Sequence, residues 1–137
     1  MADFKYVGQV SGLTIGAFKI TLTGTVEAGD FLGFDRAKAD ATDVELAYLA
    51  MEAGEDGDDI DVYPVLAGMI FEGVADGDIA EKGTQVALAI ATADQVVDAT
   101  GGTNLFFISL DTVDVSEDSD DLVRVMYVGA YHNDLTE

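Results

Sequence analysis

The tightest constraint on what this chain can fold into is a period of two in its apolar residues. Between positions 17 and 26, Phe18, Ile20 and Leu22 share one parity with Gly24, while Lys19, Thr21, Thr23 and Thr25 share the other. A backbone that sends successive side chains to opposite faces is a β-strand, and β-branched Thr suits the wet face of one. The alternation returns at Val86, Leu88 and Ile90, at Phe106, Ile108 and Leu110, and at Val123, Val125 and Tyr127. Shorter apolar runs over residues 6–10, 31–34, 60–65, 69–74 and 94–98 read as further strands, with Pro64 suggesting an edge position for its own. Glu27-Ala28-Gly29-Asp30, Asp76-Gly77-Asp78 and Gly101-Gly102 are turn signals between them, and Gly8, Gly12 and Gly16 suggest bends or bulges. About nine short strands at this spacing predict an all-β fold, a small barrel or sandwich with at most one or two short helices.

One segment reads two ways. Thr42-Asp43-Val44-Glu45 fits a capping box, Gly54 could end a helix, and Val44, Ala47, Tyr48 and Met51 would share its inner face. Val44, Leu46, Tyr48 and Ala50 also alternate, however, and the acidic loop of residues 52–59 leads straight into the next apolar run. Strand, acidic loop and strand make a hairpin, and strand is the preferred reading.

At 137 residues the chain suits one domain. Residues 1–10 are expected to be an N-terminal arm or edge strand, 11–131 a single β-rich domain, and 132–137 a polar C-terminal tail. No internal repeat of 20–50 residues and no linker divides it. Residues 1–10 lack a basic segment followed by an apolar run, so no signal peptide is expected. No stretch approaches the ~18 apolar residues of a membrane helix.

The charge is lopsided. There are 27 acidic residues against six basic ones, for a net charge of −21, yet 49% of residues are apolar. Seven Phe and five Tyr argue for a packed core, so the charge belongs on the surface. Such a surface repels itself in dilute buffer, and the repulsion fades as the screening length falls to ~3 Å at molar salt. An Asp-rich, Lys-poor exterior of this kind is expected of a protein from a salt-loving setting. It also disfavours nucleic acid and anionic membranes as partners.

Little in the chain suggests chemistry. With no Cys, thiolate catalysis, disulfides and Cys-based zinc sites are excluded. The lone histidine, His132, falls in the expected tail, away from any nucleophile. The glycines form neither a P-loop nor a dinucleotide fingerprint. The run Glu55-Asp56-Gly57-Asp58-Asp59-Ile60-Asp61 makes Asp56, Asp58, Asp59 and Asp61 the candidate calcium ligands, since closely spaced carboxylates at a Gly turn supply several oxygens. Its spacing does not match an EF-hand loop, so a solvated hairpin tip is the competing and favoured reading. Ser116-Glu117-Asp118-Ser119-Asp120-Asp121 has the same claim. No catalytic residue and no cofactor are expected. A carboxylate hydrolase would need one pair of acids set apart from the other 25, and nothing in the sequence singles one out. A sugar- or calcium-binding module of a viral tail or cell surface is a further alternative.

Gly29-Asp30-Phe31-Leu32-Gly33-Phe34, then Leu46-Ala47-Tyr48-Leu49-Ala50-Met51-Glu52-Ala53, then Asp61-Val62-Tyr63-Pro64-Val65-Leu66-Ala67-Gly68-Met69-Ile70-Phe71 form a sequence of apolar strand, Ala-ended strand, polar loop and strand entering a Gly turn. In this order the chain resembles the head decoration, or capsid cement, proteins of tailed phages such as lambda. Gly77-Asp78 and Lys82-Gly83-Thr84-Gln85-Val86-Ala87-Leu88 are similar to small β-rich capsid accessory proteins. Residues 105–131 have no close counterpart in that pattern. The resemblance implies a non-catalytic homotrimer on the outer surface of an icosahedral virion, with the major capsid protein as partner. It also implies an N-terminal arm that contacts the capsid by adding a strand, which makes Phe4, Lys5, Tyr6, Val7 and Val10 the candidate contact residues. With the acidic surface it suggests the tailed virus of a haloarchaeon. An acidic protein should bind through acid-sparse surface, and the longest such stretches are residues 5–26 and 105–110.

Overall fold

The fold was obtained as a computed structural model, which describes residues 4–12, 14–39, 46–91, 94–98, 104–114 and 122–132. Ten strands follow one another: β1 Lys5–Gln9, β2 Phe18–Thr21, β3 Phe31–Leu32, β4 Tyr48–Ala50, β5 Asp59–Pro64, β6 Met69–Val74, β7 Gln85–Ala91, β8 Asp94–Asp98, β9 Asn104–Ser109 and β10 Leu122–His132. The all-β reading holds, with no helix among the described residues. Residues 42–45 of the ambiguous segment lie outside them, as do 101–103 and 116–121, and its remainder contributes strand β4.

The strands form two antiparallel sheets, one of six in the order β1-β6-β10-β9-β7-β8 and one of four in the order β2-β5-β4-β3. Each sheet buries one face against the other. Met69, Phe71, Val123, Val125, Tyr127, Val86, Leu88 and Phe107 point inward from the six-stranded sheet. Phe31, Leu49 and Val65 meet them from the four-stranded side. At the centre, the Phe31 ring lies 5.1 Å from that of Phe71 and 5.6 Å from that of Phe107, with Phe4 4.6 Å away on its other side. Full burial of side chains this large is worth roughly 1.5–3 kcal/mol each. Leu32, Ala50, Ile60 and Val62, on the opposite face of the four-stranded sheet, join Leu22 and Val26 in a second, smaller core.

One contact closes the larger sheet on itself and another joins the two sheets. The parallel bridge between Ala75 and Val97 returns the end of β6 to β8, so the six-stranded sheet curls toward a barrel. Gln95 on β8 is buried, and its side-chain amide replaces a missing neighbour for β3. Its Oε1 accepts from the Phe31 N–H at 2.7 Å, and its Nε2 donates to the carbonyls of Phe31 at 3.0 Å and Ala39 at 2.6 Å.

The expected hairpin of strand, acidic loop and strand is present as β4–β5. Its loop is tied to the segment before β3: Leu22 N–H donates to the Asp58 carbonyl, Gly57 N–H to Leu22, and Val26 and Gly54 exchange two bonds. Gly54 is there for close approach, not as a helix end. A Cβ at that position would stand 2.8 Å from both Ile60 Cγ2 and Leu22 Cδ1. Pro64 corrects an expectation, because β5 lies between β2 and β4 and is not an edge strand. The proline is tolerated there because it is the last residue of β5 and β2 has already ended opposite Val62.

Candidate functional site

The pleat that fills the core also builds a surface. With Met69 and Phe71 turned inward, Ile70 and Val74 of β6 face outward, beside Leu122, Met126 and Val128 of β10 and Ile108 of β9. In register, Gly8, Ile70, Met126, Ile108 and Gln85 run across five strands as one row. Leu122 is 56% exposed and the other apolar members are half-buried. Leu110 and the exposed Val10 extend the patch, Val10 through its N–H bond to the Gly68 carbonyl.

The charges on these four strands nearly cancel. Lys5 stands opposite Glu72, which stands opposite Arg124. Arg124 forms a forked pair with Asp111, Nε to Oδ2 at 3.1 Å and Nη2 to Oδ1 at 2.9 Å, while its backbone N–H donates to the same Oδ2 at 3.0 Å. The hydrogen bonds and charge of Arg124 hold the Asp111 carboxyl below its ordinary pKa. Acids return at the margin: Asp76 follows the end of β6, Asp120 and Asp121 precede Leu122 in the sequence, and Asp94 and Asp98 lie on β8. In a chain of net charge −21, this face is close to neutral.

The five residues expected in a contact arm are divided by the same pleat. Lys5, Tyr6 and Val7 belong to edge strand β1, hydrogen-bonded along β6 with a bulge at Val7, while Phe4 precedes the strand and Val10 follows it. Phe4 is 3% exposed in the core and lies where any Cβ on Gly73 would collide with its ring, so it offers nothing to a partner in this arrangement. Tyr6 also turns inward, its ring 4.8 Å from that of Tyr63, and burial with a smaller push from Tyr63 raises its hydroxyl pKa. Lys5, Val7 and Val10 are exposed and adjoin the neutral face. Two shallow grooves, of ≈ 310 and ≈ 450 Å³, run beside β1 and share Tyr6 and Tyr63 in their walls.

The four candidate calcium ligands do not converge. Asp58 Oδ2 accepts from the Glu55 N–H at 2.9 Å, Asp59 Oδ1 from the Thr21 hydroxyl at 2.5 Å, and Asp61 pairs with Lys19 at 3.1 Å, while Asp56 is exposed in the turn. Among the described residues, no group of three or more His, Cys, Asp or Glu is placed to hold a metal ion. His132 ends β10 opposite Asn104, so the last strand reaches one residue into the expected tail.

A second apolar patch lies on the outer face of the four-stranded sheet, and the sequence reading missed it by assigning most aromatics to the core. The Phe18 ring meets the Tyr48 ring edge-on at 5.9 Å, and the Phe34 ring meets it at 6.2 Å. Phe34 is 65% exposed on a turn pinned by Arg36 N–H to the Gly33 carbonyl, Gly33 N–H to Ala37, Thr23 N–H to Arg36 and the Thr23 hydroxyl to Asp35. Arg36 takes the left-handed φ of 66° to close it. The available signal was the position of Phe34, between Gly33 and the charged Asp35-Arg36, where a strand has already ended.

The chain is a two-sheet all-β domain with an outward apolar face. No family model and no curated protein matches the chain. Among solved structures it is similar to the N base of head fiber gp8.5 of bacteriophage phi29, at a TM-score of 0.50 and 18% identity, over 88% of this chain and 100% of that one. At that identity the likeness is one of fold.

Proposed function

We propose that this chain is a structural virion protein that sits on the outer surface of an icosahedral capsid, binds the major capsid protein and stabilises the head. The observation that carries this reading is the fold shared with the head-fiber base of phi29 along 88% of the chain. The decoration-protein pattern in residues 29–88 supports the same conclusion from the sequence side. The protein acts as a homo-oligomer, a trimer by that resemblance, and catalyses no reaction. Its work is binding, for which it has two outward apolar patches on rigid sheets. Carboxylates at −21 net charge suit a high-salt host and disfavour nucleic acid as a partner. The calcium-module alternative gains nothing from Asp58, Asp59 and Asp61, each of which already has a partner within the protein.

The test is co-sedimentation of the purified protein with heads from which it has been stripped, in 2 M salt. Saturable binding at a fixed ratio to the major capsid protein is expected. Failure to pellet with heads at any ratio would overturn the reading.

A further inference from the structure

We infer that Asp76–Gly77 is a self-modification site, at which the folded protein converts aspartate to isoaspartate with water as the only reactant. The dipeptide Asp-Gly occurs at Asp56–Gly57 and at Asp76–Gly77. The reaction begins when the backbone nitrogen of the glycine attacks Cγ of the aspartate. The nitrogen gives up its proton and the carboxyl hydroxyl leaves, together one water, and a five-membered succinimide closes. Water then adds to one of the two ring carbonyls. If the bond from nitrogen to Cγ breaks, aspartate returns. If the bond from nitrogen to the former backbone carbonyl breaks, the chain runs on through Cβ and Cγ as isoaspartate. One water leaves and one enters, so mass is unchanged and nothing is oxidised or reduced. Glycine favours the closure because it has no Cβ to block the approach and its backbone turns freely.

The structure separates two sites that the sequence makes alike. Both aspartates are exposed, and a Cβ on either glycine would meet nothing within 4 Å, so hydrogen bonding decides between them. Gly57 N–H donates to the Leu22 carbonyl at 2.9 Å. Its turn is closed on both sides, Asp58 N–H donating to the Glu55 carbonyl and Glu55 N–H to Asp58 Oδ2, each at 2.9 Å. Ring closure at Asp56 must first break the bond to Leu22. Gly77 N–H has no acceptor among the described residues, so its nitrogen is free to attack. One hydrogen bond is worth about fivefold in rate, and Asp76 should react at least ~5-fold faster than Asp56. The product bears on the fold. The bend of residues 76–78 is held between Ala75, bridged to Val97, and Ile79, which exchanges two hydrogen bonds with Val113. Isoaspartate lengthens the backbone by one carbon inside that bend. The bond nearest to the insertion is Asp76 N–H to the Val97 carbonyl, at 2.8 Å, part of the contact that closes the six-stranded sheet on itself. Its loss should lower Tm by roughly 3 °C.

The site needs no partner, so it stands or falls independently of the proposed function. The full chain is aged for several weeks at about 37 °C in 2 M salt made up in heavy-oxygen water, then digested and mapped by mass spectrometry with electron-transfer fragmentation, which tells isoaspartate from aspartate. Each ring opening leaves one heavy oxygen in the residue, so the label counts both products. Label and isoaspartate should gather at Asp76, at least ~5-fold ahead of Asp56. A sample unfolded in urea, where neither glycine amide is held, should react at both sites at similar rates. Asp76→Glu, which would have to close a six-membered ring, should keep the wild-type circular dichroism, carry no label at that position and lose no Tm on ageing. Equal labelling of the two sites in the folded protein, or faster labelling of Asp56, would overturn the inference. So would an unlabelled Asp76 in folded protein beside an unfolded sample labelled at both. A wild type converted at Asp76 with its Tm unchanged would refute the effect on the sheet closure.

Discussion

Replacing Gln95 with methionine would test whether the two sheets are joined as described. Methionine matches glutamine in length and nearly in volume, so the change removes three hydrogen bonds without opening much space. The Phe31 carbonyl keeps a partner, because it also accepts from the Ala39 N–H at 2.9 Å. The Phe31 N–H and the Ala39 carbonyl lose theirs, in surroundings where Phe31 is 0% and Ala39 1% exposed. Each orphaned buried group costs about 1–3 kcal/mol, for a total of roughly 2–6 kcal/mol. A domain of this size has an unfolding entropy of about 0.3 kcal/mol per kelvin at its midpoint, so Tm should fall by about 7–20 °C. Differential scanning calorimetry at fixed high salt measures the fall directly, and urea titration should show a lower midpoint at unchanged slope. A Tm within about 3 °C of wild type would show that the amide does not satisfy β3, and the account of how the sheets are held together would fail.

Arg124→Ala should return the Asp111 carboxyl toward its ordinary pKa, seen as an upward shift in its NMR titration. Since a depressed carboxylate contributes stability that is present above its unfolded pKa and lost as pH falls through the folded one, the variant should lose less stability on acidification than wild type. Gly54→Ala forces a methyl group against Leu22 and Ile60, and a loss of about 1–3 kcal/mol in denaturant unfolding is expected; a neutral result would mean that the loop is not packed on the second core. Dialysis below ~0.05 M salt, where screening is weak, should unfold the chain, and a circular dichroism spectrum unchanged there would contradict the salt-adapted reading of its surface.

Much of this architecture could be read from local pattern. The alternation at Phe18, Ile20 and Leu22, the hairpin around the acidic loop and the β6 run of residues 69–74 all appear where the period of two places them. A bulge was legible in Gly8, and it falls at Val7. What was hidden is non-local. Gln95 bonds to residues 64 and 56 positions away, and a lone polar residue in an apolar strand gives no sign of such partners. The interior position of β5 was hidden for the same reason, because Pro64 reads as an edge signal until β2 is seen to stop short of it.

The apolar outer face was half legible. Scarcity of acids pointed to residues 105–110, and Ile108 and Leu110 do belong to it. The larger share comes from Ile70 and Val74 of β6 and from Leu122, Met126 and Val128 of β10. Apolar residues at both parities in one strand mark a sheet with two covered faces, and that signal was present in both segments. Phe4 and Tyr6, by contrast, shared a short apolar run with Val7 and Val10, and only the register against β6 separates core from surface.

The central claim, that this chain is a part of the virion's exterior, is tested most directly by counting it in purified particles. Quantitative mass spectrometry of gradient-purified virions should find it at several hundred copies per particle, in a fixed ratio to the major capsid protein and removable by surface proteolysis. Its absence from particles, or a handful of copies that follow host contaminants across the gradient, would contradict the account.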